Sequence, residues 1–99
     1  MSKLIVKIDP DLSDLIPGFL ARKHQDVEAI RTSAKHRDYA AIGNLGHKIK
    51  GEGGSYGLDE ISQIGEQLET AARKLDTAEC LSLADCLSEY LNTVEIVFE

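Results

Sequence analysis

Four stretches of apolar residues at helical spacing, joined by connections of only a few residues, restrict this chain to one kind of architecture. In the first stretch Leu12, Leu15, Ile16, Phe19, Val27, Ile30 and Ala34 follow the helical period, and Asp9-Pro10 reads as an N-cap with proline at the first helical position. Pro17-Gly18 should divide it into a short turn and a longer helix starting near Pro17. Asp38 caps a second helix running to about Tyr56. A third, from about Leu58 to Leu75, carries Ile61, Ile64, Leu68, Ala72 and Leu75 on one stripe. Asp76-Thr77-Ala78-Glu79 resembles a capping box with Asp in the Ser/Thr place. It opens a fourth helix with the stripe Cys80, Leu83, Ala84, Leu87, Leu91, Val94 and Phe98. Short connections make successive helices antiparallel neighbours, so the expected fold is all-α: an antiparallel up-down four-helix bundle with a short N-terminal extension. Within that extension Leu4, Ile5, Val6 and Ile8 could form a strand, but no pairing strand is evident, and the segment is expected to pack across the helices.

At 99 residues the chain has room for one core, so residues 1–99 are expected to form a single domain. Five aromatics and no Trp point to an aliphatic core. No apolar run approaches the ~20 residues a membrane-spanning helix needs. No signal-peptide pattern opens the chain, and a cytoplasmic protein is expected. The net charge of −6 works against nucleic-acid binding, which depends on Lys and Arg neutralising phosphates. Lys35, His36, Arg37, Lys48 and Lys50 nevertheless put a basic patch on an acidic protein, which suits an acidic partner, with a solvated helix face as the alternative. Cys80 and Cys86 lack metal-ligand spacing and read as reduced thiols on a helix.

The second helix spends glycines where alanine would serve better, at roughly 0.5–1 kcal/mol each. With Ile42 as origin and about 100° per residue, Leu45, Ile49, Gly53 and Tyr56 fall on one stripe and His47 lies about 160° from its centre. Around His47 on that outer face are Ala40, Gly43, Asn44, Gly51 and Gly54, with Lys50 one turn on. The imidazole is therefore expected to face solvent on a surface of small residues, open to a partner. His24 and His36 read as ordinary solvated or capping residues.

A neutral imidazole is a nucleophile once its tautomer is fixed, and a neighbouring lysine stabilises negative charge. That pairing suits phosphoryl transfer better than acyl transfer. Metal binding would need further ligands, and no second His or Cys shares the face. No cofactor is expected. The glycines do not form a P-loop, so the phosphoryl group should come from another protein.

His47-Lys48-Ile49-Lys50-Gly51, followed by Gly54-Ser55-Tyr56-Gly57-Leu58 and by Leu68-Glu69, resembles the histidine phosphotransfer (HPt) domain of bacterial phosphorelays. The similarity extends to the four-helix organisation and the Leu15-to-Leu20 opening. The resemblance implies that His47 accepts the phosphoryl group through Nε2 and exchanges it with the aspartate of a response-regulator receiver domain, itself separate or part of a hybrid histidine kinase. It implies that Lys50 stabilises the phosphoryl oxygens and that Glu69 holds Nδ1–H and orients the ring. Gly43, Asn44, Lys48, Gly51 and Gly54 would contact the partner. Glu52, directly after the H-x-x-K-G core, departs from the small or neutral residue of many members, but lies off the His47 face. A four-helix bundle of this size closes its own core, so a monomer is expected, and with no nucleotide site in the sequence the expected role is a phosphate carrier without kinase activity. Two alternatives keep the fold: a module that sequesters a receiver without transfer, or an excised segment of a hybrid kinase. A chain that begins with Met and ends soon after its last helix favours a small natural protein over the latter.

Overall fold

The computed structural model describes residues 4–99, and its four helices meet as an antiparallel bundle. Strand β1 (Ile5–Ile8) leads through a 3-10 turn at Pro10–Leu12 into α1 (Ile16–Lys35), α2 (Tyr39–Ser55), α3 (Asp59–Arg73), α4 (Thr77–Thr93) and strand β2 (Glu95–Phe98). The caps lie where the sequence puts them. Asp9 accepts from Asp11 N–H at 2.9 Å, Asp38 from Ala41 N–H at 3.1 Å and Asp76 from Glu79 N–H at 3.0 Å. The box at Asp76 is only half formed, because the Asp76 N–H donates to Ala71 O rather than to Glu79. Pro17 sits in the first turn of α1, where its missing N–H costs nothing. Phe19, Ile30, Ile42, Ile49, Leu58, Ile61, Leu68 and Leu87 close an aliphatic core. No helix among the described residues is long and apolar enough to cross a membrane.

Three expectations need correction. The N-terminal segment does find a strand: β1 pairs in parallel with β2, Ile5 opposite Glu95 and Ile8 opposite Phe98. Accordingly Val94 and Phe98 do not extend the α4 stripe. Val94 is already extended, and Phe98 is 41% exposed in β2. The physical reason is local, since Val94, Ile96, Val97 and Phe98 are β-branched or aromatic and lose side-chain freedom in a helix. Ile8 is buried, while Val6 and Ile96 pack half-buried against the core, so one ribbon face does lie on the bundle. Leu15 and Leu75, both placed on helical core stripes, are 51% and 63% exposed; each falls in a turn outside its helix. Cys80 is buried and Cys86 exposed, both unpaired. Burial first, then the nearby Asp76 and Glu79 carboxylates, push the Cys80 thiol up, which makes it a poor nucleophile.

Candidate functional site

His47 lies midway along α2 with 81% of its side chain exposed. Its Nδ1 is 3.5 Å from Glu69 Oε2 on α3, and the Glu69 side chain is only 22% exposed. Nε2 has no hydrogen-bond partner among the described residues. The contact is long for a hydrogen bond and within reach of one, as catalytic contacts often are before a partner arrives. Lys50, one turn on, is exposed and forms no ion pair among the described residues. Its backbone carbonyl, by contrast, accepts from Ser62 Oγ at 2.9 Å, which pins this turn of α2 to α3.

The glycines of α2 divide by task. At Gly46 an added Cβ would lie 2.7 Å from Gly65 O and 2.9 Å from Glu69 N; at Gly53 it would lie 2.6 Å from Ser62 N. These two face α3, and with Gly65 they let the two helix backbones approach, which places Glu69 beside the His47 ring. Among the described residues, nothing crowds the outer glycines. Gly51 has no neighbour within 4 Å, Gly54 only Ser62 Oγ at 4.0 Å, and Gly43 only Ala72 Cβ at 3.8 Å. Asn44 is exposed beside them. A shallow depression of about 480 Å3 runs from His47 and Glu69 across Gly43, Asn44 and Ala72 to Tyr39 and Leu75.

The basic residues do not form one patch. Lys48 turns to the flank, half-exposed, and pairs with Asp26 of α1 at 3.1 Å. Lys35, His36 and Arg37 lie at the α1–α2 turn; at 1.5 Å per residue, Arg37 is roughly 20 Å along the helix from Lys50. Of these five residues, Lys50 shares the exposed face of the imidazole. Among the described residues no three metal-ligating side chains converge.

No motif in the sequence marks Lys23, whose side chain is fully buried between α1 and α2. Its ammonium is 2.5 Å from Asp26 Oδ2 and 2.6 Å from Glu52 Oε1, and lies 5.4 Å from the centroid of the Phe19 ring. Asp26 in turn holds Lys48, so the chain Glu52–Lys23–Asp26–Lys48 fastens α1 to the flank of the His47 helix. Glu52 thus serves as a counter-ion rather than as part of the His47 face. The signal was present in the gap between Phe19 and Val27 on the α1 stripe, which a lysine fills. Asp26→Ala should cost about 2 kcal/mol, because it takes one of two counter-ions from a buried ammonium and leaves Glu52. Lys23→Met, of similar volume, should cost less than Asp26→Ala in urea denaturation, because Asp26 keeps Lys48 and the Glu52 carboxylate reaches solvent.

The chain matches the Hpt domain family over residues 14–95, and it belongs to that family. Hpt domains are phosphate carriers rather than enzymes, and they interact with response-regulator receiver domains, so the chain takes part in histidine phosphotransfer. Neither a curated protein nor a solved structure shows a significant match to it. Strand β1 and all of β2 after Glu95 fall outside the matched residues.

Proposed function

We propose that His47 is the phospho-accepting residue of a monomeric, cytoplasmic carrier acting as one unit over residues 1–99, without kinase activity of its own. The observation that carries this reading is an imidazole exposed on a helix face cleared to glycine, its Nδ1 facing a carboxylate at 3.5 Å and its Nε2 unencumbered. In the step proposed, the Nε2 lone pair attacks the phosphorus of a receiver's aspartyl phosphate. The P–O bond to the aspartate breaks, and the aspartate leaves as carboxylate. The ring keeps its Nδ1 proton and gains positive charge, which Glu69 balances. Lys50 meets the charge spread over the phosphoryl oxygens. Reversal returns the phosphoryl group to a receiver. Gly51 and Gly54 admit the partner close to the α2 backbone, Gly43 and Asn44 line the approach on the other side of the ring, and Lys48 meets the partner's rim. The receiver stands alone or belongs to a hybrid histidine kinase.

Incubation with a receiver carrying labelled phosphate tests this. The chain should take up label in a form lost in acid and kept in alkali, as a phosphoramidate is. No transfer from any receiver of its host would overturn the reading.

A further inference from the structure

The three turns between helices close in the same way, yet two of them lack the residue that such closure favours. In each, a left-handed residue follows the C-cap, and two N–H groups fold back onto the preceding helix. Gly57 N–H donates to Gly54 O and Leu58 N–H to Gly53 O. Arg37 and Asp38 repeat the pattern onto Ala34 O and Ser33 O, and Leu75 and Asp76 repeat it onto Ala72 O and Ala71 O. The left-handed residue of the α2–α3 turn is Gly57, with φ 74°. At the other two turns it is Arg37, φ 55°, and Leu75, φ 56°. A Cβ crowds the following carbonyl in this conformation, and glycine is the usual occupant because it has none. A side chain kept there at a cost points to a use for the side chain.

Both exceptions are at one end of the bundle, where α1 and α3 finish and α2 and α4 begin. A 2.6 Å hydrogen bond between Tyr39 Oη and Thr77 Oγ1, each two residues beyond its left-handed residue, ties the two turns together. Leu75, 63% exposed, walls the far end of the depression that starts at His47. Arg73 lines the same depression, and neither it nor Arg37 forms an ion pair among the described residues. On a chain of net charge −6 this end displays Lys35, Arg37, Arg73 and Lys74.

We propose that Arg37 and Leu75 are retained as a second docking patch that selects among receivers. An apolar side chain of the partner seats against Leu75 in the depression, and carboxylates flanking it meet Arg37 and Arg73. The patch rests on the receiver-docking reading of His47 and adds to it the determinant of partner choice. It also fixes the orientation, with the partner lying along α2 from His47 toward the α1–α2 turn.

Transfer from a phosphorylated receiver, titrated to separate KM from kcat, tests it together with the dissociation constant of the unphosphorylated receiver and the melting midpoint. Leu75→Gly and Arg37→Gly should hold or raise the midpoint, yet raise KM and the dissociation constant about tenfold with kcat nearly unchanged. Gly57→Ala, the matching change at the opposite end, should lower the midpoint and leave KM alone. Unchanged KM and dissociation constant in both glycine variants, with label still absent from His47→Gln, overturn the patch and leave the His47 reading standing. Label on His47→Gln overturns that reading instead, and the dissociation constants still decide the patch. Self-association of the chain that Leu75→Gly abolishes, with receiver binding untouched, overturns it in favour of a second copy.

Discussion

His47→Gln is expected to leave no acid-labile phosphate on the chain, whereas changes at Lys50 and Glu69 only slow its appearance. Glutamine has a similar reach but no ring nitrogen with a nucleophilic lone pair. Because the His47 side chain is 81% exposed, its loss removes no core packing, and stability should hold within about 0.5 kcal/mol. Lys50→Ala removes the cation one turn along the helix from the ring, and a loss of about 10²-fold in transfer rate is the scale of one missing charge-stabilising group. Glu69→Gln keeps an oxygen to accept from Nδ1–H but removes the charge that balances the phosphorylated ring, so a loss of about tenfold is expected. Single-turnover labelling against excess phosphorylated receiver separates the three. Label arriving on His47→Gln at the parent rate would place the acceptor elsewhere.

Gly65→Ala should have the largest effect on the fold itself. The new methyl would press on the Lys50 N–H, with Gly46 O 2.6 Å away, and both are backbone atoms that no rotamer change can move aside. The α2 and α3 backbones must separate, at about 3 kcal/mol on the scale of core overpacking. For a chain of this size that lowers the melting midpoint by roughly 12–24 °C. Separation also draws Glu69 away from the His47 ring, so the surviving folded fraction should transfer phosphate more slowly. Gly51→Ala is the contrast. Among the described residues nothing lies within 4 Å of the new methyl, and the helix gains about 0.5–1 kcal/mol. A Gly65→Ala chain that melts like its parent would mean that the helices are not held at glycine contact.

The helices, their caps and the solvent-facing His47 were legible because each is local. A period of 3.6 residues and an acid at the N-cap are written within a dozen positions. Glu69 was legible only through family resemblance, since no spacing rule places an α3 carboxylate beside an α2 ring. Gly46 and Gly65 escaped because an interior glycine looks the same whether a neighbouring backbone or open solvent lies beyond it. Leu87, Leu91, Val94 and Phe98 fit the helical period whether or not the helix continues, and β2 is recognised only through a partner strand some 90 residues away. Lys23 showed itself as an interruption of a stripe, but its two counter-ions belong to different helices. Leu75 continued its stripe in number and left it in space, because the backbone reverses hand at that residue.

The pairing of β1 with β2 bears on the order in which the molecule assembles. Two parallel strands of four residues are too short to hold together alone, and closing a loop of this length carries a large entropic cost. The helices must first bring the two ends of the chain together, so the ribbon can only form late in folding and must be among the first parts to open in unfolding. The α2–α3 hairpin that carries His47 and Glu69 rests instead on packing between residues close in sequence. The site can therefore form before the ends meet, and local opening of the ribbon leaves its geometry in place.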